Sequence, residues 1–374
     1  MNALNLYVRV QADGTVALRD LHPEGGGKRN PTTKVDLEGL DGRVLRLFEK
    51  WLTVPNRSWT EEEIRVLGQL LHRRLFVDDS WRWVEDQLSR RGAERARLML
   101  SVPFDRASSR LASLPWEYLC TPDQPGRAGS FLALDPALAL TRTVVNGSGH
   151  VAETPSEEVR ILPIVGEADN DQLGRFDAAP VLEAIRALDD QPGFRMLDPV
   201  VEATEDAIRH ALLGPPSERP HLVHLLGHGR FRDGQGAVAL RKPGGGTHWL
   251  DESSLARALC PGAWRPAVVF LHTCEGGAVD FEERYGGLAP QLCEEGVRCV
   301  IAMRYVVRQS AAQHFSIAMY EALGAGGSLD DGIQRGRQAM WRRSEGQDPR
   351  LFGIPSVYQS TPDQLFAPTP ATEA

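Results

Sequence analysis

No apolar run in this 374-residue chain approaches the roughly 20 residues that a helix needs to cross a bilayer. Its start, Met1 to Gln11, lacks a basic stretch followed by an apolar one, since Asn2, Asn5 and Arg9 interrupt it. A secretory signal is therefore not expected, and a cytoplasmic location is. Cysteine is scarce: Cys120, Cys260, Cys274, Cys293 and Cys299 are odd in number and show no CxxC spacing. That argues against a disulfide framework or a zinc ribbon and leaves room for a free, reactive thiol. Lysine is nearly missing, with only Lys28, Lys34, Lys50 and Lys242 among 42 basic residues. Beside abundant Ala, Gly and Pro this reads as GC-rich, bacterial coding and carries no function. A positive balance is lacking too. The formal net charge is -8, so bulk binding to nucleic acid or a membrane surface is not expected, while a local basic patch stays open. No repeat of solenoid period is present.

What is there is ordinary globular material. The chain is 42% hydrophobic and 25% charged, with length for one large domain or two ordinary ones. Leu4–Val10 and Thr15–Leu21 alternate like strands around the turn Asp13-Gly14 and predict a hairpin. Residues 24–34 predict a glycine-rich loop, without the GxxxxGK[ST] spacing of a phosphate loop. Leu37–Leu52, Thr60–Phe76 and Ser80–Arg91 predict helices. The second opens on Thr60 and three glutamates, which suit a helix N-terminus. Arg95–Val102 and Leu138–Val144 predict strands. Between them lie Leu111–Leu119 and a Pro/Gly-rich loop, with Trp116 and Glu117 expected to pack one region onto the other. The polar stretch Asn146–Glu158 marks the expected boundary.

From Val159 the pattern becomes strand–helix alternation. Strands are predicted over Val159–Val165, Pro199–Ala203, His221–Leu226, Ala267–His272 and Val297–Arg304. Helices are predicted over Ala178–Leu188, from Thr204 onward, and over Ser253–Leu259, Leu288–Glu295, Ser310–Leu323 and Ser328–Arg343. Buried apolar strands alternating with helices imply an α/β fold: a mainly parallel sheet flanked by helices. An N-terminal mixed α/β accessory region covers 1–145, the main domain 159–360, and a flexible tail 361–374.

In such a sheet, catalytic groups gather at the carboxyl ends of strands. Two segments end there in reactive side chains set among glycines: His221-Leu222-Val223-His224-Leu225-Leu226-Gly227-His228-Gly229, and Phe270-Leu271-His272-Thr273-Cys274-Glu275-Gly276-Gly277. Glycines there would let a substrate backbone approach closely. A thiol is activated by a neighbouring imidazole, which then protonates the leaving amine and activates water. Backbone N–H groups at Cys274 and Gly229 could hold the oxyanion.

His228 within LLGHG and Cys274 within FLHTCEGG resemble the CHAT family of caspase-like, clan CD cysteine peptidases. So do Leu114-Pro115-Trp116-Glu117 upstream of a strand ending in Arg142, the helix–strand unit 287–301, and Phe315–Ile333. The likeness spans roughly 95–360. It implies a caspase-like fold with a pseudo-caspase-like N-terminal region, and a cysteine endopeptidase with His228 and Cys274 as the dyad and Gly229 in the oxyanion hole. It further implies a protein substrate, a possible activating sensor or upstream protease, and a place in bacterial defence, stress or cell death. No metal or organic cofactor is required.

Alternatives remain open on the same residues. His224 and His228 share a strand face, as do His272 and Cys274, and two such pairs would suit zinc. A core or second-layer role for His224 and His272 is preferred, with His272 also placed to line the primary specificity pocket. The acidic loop Gly166–Asp171 could line that pocket through Glu167 or Asp169 and favour a basic residue; the plain alternative is an exposed loop. Thr273 stands where relatives that cut after basic residues often carry Asp. A non-catalytic scaffold is the rival from another class.

Overall fold

The computed structural model describes residues 4–20, 32–35, 39–54, 57–77, 80–90, 96–102, 109–145, 147, 149, 152, 158–166, 169–170, 174–232, 235–274, 287–343, 348–361 and 365–366. The first half contributes β1 (Leu4–Val10), β2 (Thr15–Asp20), β3 (Thr32–Lys34), α1 (Gly39–Leu52), α2 (Glu61–Leu75), α3 (Ser80–Arg90), β4 (Ala96–Ser101), α4 (Ser109–Ser113) and β5 (Leu138–Thr143). The second half contributes β6 (Val159–Val165), β7 (Asp169–Asn170), β8 (Gly174–Arg175), α5 (Ala179–Asp189), β9 (Phe194–Met196) and α6 (Glu205–Leu212). It continues with β10 (Leu222–Arg232), β11 (Gln235–Arg241), β12 (Thr247–Asp251), α7 (Glu252–Leu259), β13 (Val268–Cys274), α8 (Leu288–Glu294) and β14 (Cys299–Met303). The end of the chain adds α9 (Gln309–Gly324), α10 (Leu329–Arg343) and β15 (Pro355–Gln359).

Local chemistry explains the clearest boundaries. Thr60 accepts a hydrogen bond from the Glu63 N–H, and the Glu63 carboxylate accepts one from the Thr60 N–H, a reciprocal cap on α2. Thr204 and Asp251 cap α6 and α7 through their side-chain oxygens. Asp13 ties back to Thr15 in the first hairpin, where Gly14 has a positive φ of 82°.

Among the described residues all strands but β7 and β8, which pair only with each other, join one mixed, largely parallel sheet flanked by helices. It runs β12-β11-β10-β13-β14-β15-β5-β4-β1-β2-β3, with β6 and β9 branching from β10. β6, β10, β13 and β14 are parallel, as are β1, β4, β5 and β15. The two sets meet where β15 runs antiparallel to β14. The sheet is thus continuous across the two halves of the chain, and the stretch expected as their boundary lies mostly outside the described residues.

Alternate residues feed two cores. Val268 and Phe270 face the layer holding α5, α9 and α10, while Val269 and Leu271 face α6, α7 and α8. Burial on both faces is why the first four residues of β13, Val268–Leu271, are all apolar rather than alternating.

Several expectations needed correction. Residues 199–203 do not form a strand; Val200 makes only an isolated bridge to Ile164, and the regular strand there is β9. β10 does not stop at Leu226. It runs on to Arg232 and turns into the antiparallel ribbon β11–β12. Leu365 and Phe366, assigned to a flexible tail, are buried, and the Leu329 N–H donates to the Leu365 carbonyl. Two adjacent apolar side chains gain more from burial than an exposed tail offers them.

Two buried ion pairs brace the sheet, one within the first half and one joining the two halves. Arg142 on β5 makes a bidentate pair with Glu117, with Nε–Oε1 and Nη2–Oε2 both at 2.7 Å, and donates to the carbonyls of Ala112 and Leu114. Arg97 on β4 meets Asp330 on α10 and Gln359 on β15. Trp116 is fully buried and donates its indole N–H to the Leu111 carbonyl, and the contact across the two regions is made by Glu117, whose Oε2 lies 3.6 Å from Arg304 Nη1. Among the described residues, no helix is long and apolar enough to cross a membrane.

Candidate active site

β10 and β13 run side by side in parallel register from Leu222↔Val268 through to His228↔Cys274. The two residues singled out from sequence are therefore paired positions on neighbouring strands. Parallel strands lie roughly 4.8 Å apart, so the pairing brings the two backbones within side-chain reach. The Cys274 side chain, Glu167, the Asp169 side chain and residues 275–277 lie outside the described residues; the backbone of Asp169 forms part of β7.

Glycines make this closeness possible, although not in the way the sequence suggested. A β-carbon at Gly229 would sit 2.9 Å from the Thr273 Cβ, and one at Gly166 would sit 2.5 Å from the Ala239 carbonyl oxygen. The small residues let strands approach one another rather than only a substrate. Gly229 is in antiparallel register with Val238 of β11, at the point where β10 enters its ribbon.

Under His228 lies a stack of buried rings. The Phe176 ring meets His228 edge-on at 5.7 Å between centroids and His272 at 6.0 Å. His224 stacks on Phe270 at 4.2 Å and lies 5.5 Å from His272. Each inner imidazole has a hydroxyl partner on α9: Tyr320 Oη lies 2.7 Å from His224 Nδ1, and Ser316 Oγ lies 3.0 Å from His272 Nδ1. Burial holds both rings neutral, pushing His272 down to about 3 and His224 well below its ordinary value, with His272 adding to the latter.

His272 is fully buried and reaches no solvent. The exposure that lining a specificity pocket requires is absent, and the ring acts here as packing beneath the strand ends. Among the described residues no cluster of histidine, cysteine or acidic side chains is arranged to hold a metal ion.

The four other cysteines are poor nucleophiles. Cys120, Cys260, Cys293 and Cys299 are all buried. Burial pushes the Cys120 thiol up to about 11 and those of Cys260 and Cys299 to about 12, and lifts Cys293 well above the ordinary value. A thiol that resists ionisation neither attacks carbonyls nor binds metal readily.

Sequence reasoning missed Phe176, Ser316, Tyr320 and Glu252. The nearest signal for two of them is the polar pair at i and i+4 in Phe315-Ser316-Ile317-Ala318-Met319-Tyr320, one helical face in an apolar stretch. The Phe176 segment is anchored by α9, because the Gln309 and Gln313 side-chain amides both donate to the Asp177 carbonyl.

Glu252, first residue of α7, lies on the opposite face of the sheet. It borders a cavity of about 220 Å³ that Gly229 and Thr273 also line. Its carboxyl accepts from the Gly236 N–H at 3.2 Å and interacts with the Leu288 N–H at the start of α8. Burial raises it to about 7 against the lowering effect of those two N–H groups. This carboxyl thereby ties the ribbon that follows His228 to the helix that follows the Cys274 segment.

The CHAT domain model matches residues 52–364. A search of curated protein sequences finds no match. Among solved structures, the separase of the Saccharomyces cerevisiae separase–securin complex is similar at 15% identity and a TM-score of 0.42, over 78% of this chain and 17% of that one. This chain therefore spans about a sixth of the separase. The Arg-specific cysteine proteinase gingipain R is similar at 14% identity and a TM-score of 0.48, over 76% of this chain and 67% of that one. The Drosophila initiator caspase Dronc is similar at 12% identity and a TM-score of 0.39, over 60% of this chain and 94% of that one.

Proposed function

The chain belongs to the CHAT-domain family, and from that premise we propose that it is a cysteine endopeptidase with Cys274 as nucleophile and His228 as acid–base partner. The observation that carries this reading is the parallel pairing of His228 with Cys274 at adjoining strands. The inertness of the other four thiols supports it.

In this reading the Cys274 thiolate bonds to the scissile carbonyl carbon, and the carbonyl electron pair moves onto oxygen. Backbone N–H groups of Gly229 and Cys274 receive that oxyanion. Collapse of the intermediate expels the amine, which takes its proton from His228 and leaves a thioester. His228 then removes a proton from water, the hydroxide attacks the thioester, and collapse releases the carboxylic acid and expels the Cys274 thiolate beside the protonated His228, restoring the starting pair. Neither step needs a metal or organic cofactor.

The substrate is a protein. The acidic segment carrying Glu167 and Asp169 favours a basic residue before the scissile bond, because a carboxylate pairs with guanidinium or ammonium groups. The cellular role we infer is that of a regulated cytoplasmic effector in bacterial defence, stress or cell death, switched on by a sensor or an upstream protease.

Cleavage of a proteome-derived peptide library tests the reading. The wild type should cut while Cys274→Ala and His228→Ala do not, and Arg and Lys should dominate the position before the cut. Cutting by Cys274→Ala at the wild-type rate overturns the dyad. A wild type that neither cuts nor reacts at Cys274 with a thiol-directed probe points to a scaffold instead.

A further inference from the structure

An acidic protein with a net charge of -8 carries one concave surface of opposite sign. A cavity of about 230 Å³ lies where the segment after α1 meets the first turn of α9 and the last turn of α10. Four arginines line it, Arg57, Arg308, Arg343 and Arg350, together with His314 and a single carboxylate, Asp348.

The arginines are not equally engaged. Arg350 is buried, with its Nε shared between both Asp348 oxygens and its Nη1 donating to the Leu52 carbonyl. Asp348 is therefore already neutralised. Arg57 pairs through Nη2 with Glu63 at 2.7 Å, and stacks its guanidinium over Trp59 at 4.0 Å and Trp51 at 4.5 Å. Its Nη1 is buried and has no hydrogen-bond partner among the described residues. Arg308 and Arg343 stand exposed at the rim, and neither meets a carboxylate among the described residues. Burial, and then positive charge from Arg343, holds the His314 imidazole below its ordinary value.

The backbone adds to this field. Arg308 is the N-cap of the 16-residue helix α9 and gives it no side-chain cap. Ser310 in the first turn lines the cavity. A helix of this length presents unsatisfied N–H groups and the positive end of its dipole to whatever occupies that space.

We propose that this cavity is a binding site for a small ligand bearing phosphate groups, a pyrophosphate or the phosphate chain of a nucleotide. Guanidinium forks match phosphate oxygens in pairs. Arg308 and Arg343, neither paired with a carboxylate among the described residues, with the unpartnered Nη1 of Arg57 and a helix N-terminus beside them, call for an anion of more than one charge rather than a single carboxylate. The cavity's size admits a molecule of that class and not a folded partner. The assignment stands independently of the peptidase reading.

Isothermal titration calorimetry on the full chain, at fixed low salt, tests it with inorganic phosphate, pyrophosphate, ATP and a glutamate-rich peptide. Pyrophosphate or ATP should bind one to one. Arg308→Ala and Arg343→Ala should each weaken binding by roughly tenfold, the scale of losing a hydrogen bond to a charged group. Arg342→Ala, whose exposed side chain turns to Gln338, should leave affinity unchanged. ATP binding well above pyrophosphate identifies a nucleotide, and equal binding identifies the phosphates alone. Absence of phosphate binding, binding only of the glutamate-rich peptide, or equal affinity in Arg308→Ala and Arg343→Ala overturns the proposal.

Discussion

Gly229 and Thr273 stand so close across β10 and β13 that any β-carbon at position 229 would lie 2.9 Å from the Thr273 Cβ. They adjoin His228 and Cys274, so the contact sets how nearly the two strand ends converge. Because the clash is with a β-carbon, only glycine at position 273 relieves it. Gly229→Ala should cost about 1–3 kcal/mol, the usual scale of overpacking. In a Thr273→Gly background the same change should cost less than about half as much, a coupling that urea denaturation of the four proteins measures.

The Glu117–Arg142 pair predicts a distinct acid response. Burial alone would raise the Glu117 carboxyl, but Arg142, with Arg304 and Arg337, overrides it and brings the value down to about 2. In the unfolded chain it titrates near 4.5. Its contribution is therefore present above about pH 4.5 and is lost as pH falls toward 2, on the order of 3 kcal/mol. Glu117→Gln leaves Arg142 buried without its counter-charge. It should destabilise the protein by about 3–5 kcal/mol at pH 7 in chemical denaturation.

Glu252 should act in the opposite sense. Its folded value near 7 lies above the 4.5 of an unperturbed glutamate, so the unfolded chain loses this proton first. Stability falls as pH rises from about 4.5 through 7, by about 3 kcal/mol in all. Glu252→Gln keeps an acceptor for the Gly236 N–H and removes the titration. Melting curves from pH 5 to 8 should decline for the wild type and lose that component in the variant.

His72 offers an acid-sensitive position far from the strand ends. It packs against Phe76 at 4.9 Å and Trp81 at 4.7 Å, and burial lowers it from 6.5 to about 4. Its contribution is full above about pH 6.5 and is lost as pH falls toward 4, roughly 3 kcal/mol. His72→Phe keeps the ring packing and should flatten the loss of melting temperature between pH 6.5 and 4.5.

Tyr320→Phe tests the ring stack. Removing the hydroxyl leaves His224 Nδ1 without its 2.7 Å partner. A buried polar atom stripped in this way costs about 1–3 kcal/mol, measurable by urea denaturation. Ser316→Ala should do the same to His272.

Much of this protein could be read from its sequence alone. The alternation of Leu4–Val10 and the apolar run Ile161–Val165 within Val159–Val165 identified strands, because periodicity reports which faces are buried. Thr60 with Glu63 announced the start of α2, because a cap is a local bond between residues three apart. His228 and Cys274 stood out because reactive side chains ended apolar strands among glycines. What the sequence did not carry were relations between distant segments. The residue-by-residue register of His228 against Cys274, the hydroxyls of Ser316 and Tyr320 beneath His224 and His272, the Glu252 tie between β11 and α8, and the gathering of Arg57, Arg308 and Arg343 at one cavity each depend on which strands adjoin and which helix faces cover them. Burial of His272 overrode the pocket role suggested by its place beside Cys274. The tertiary structure alone decided these, because packing sets the dielectric, the neighbours and hence the chemistry of each side chain.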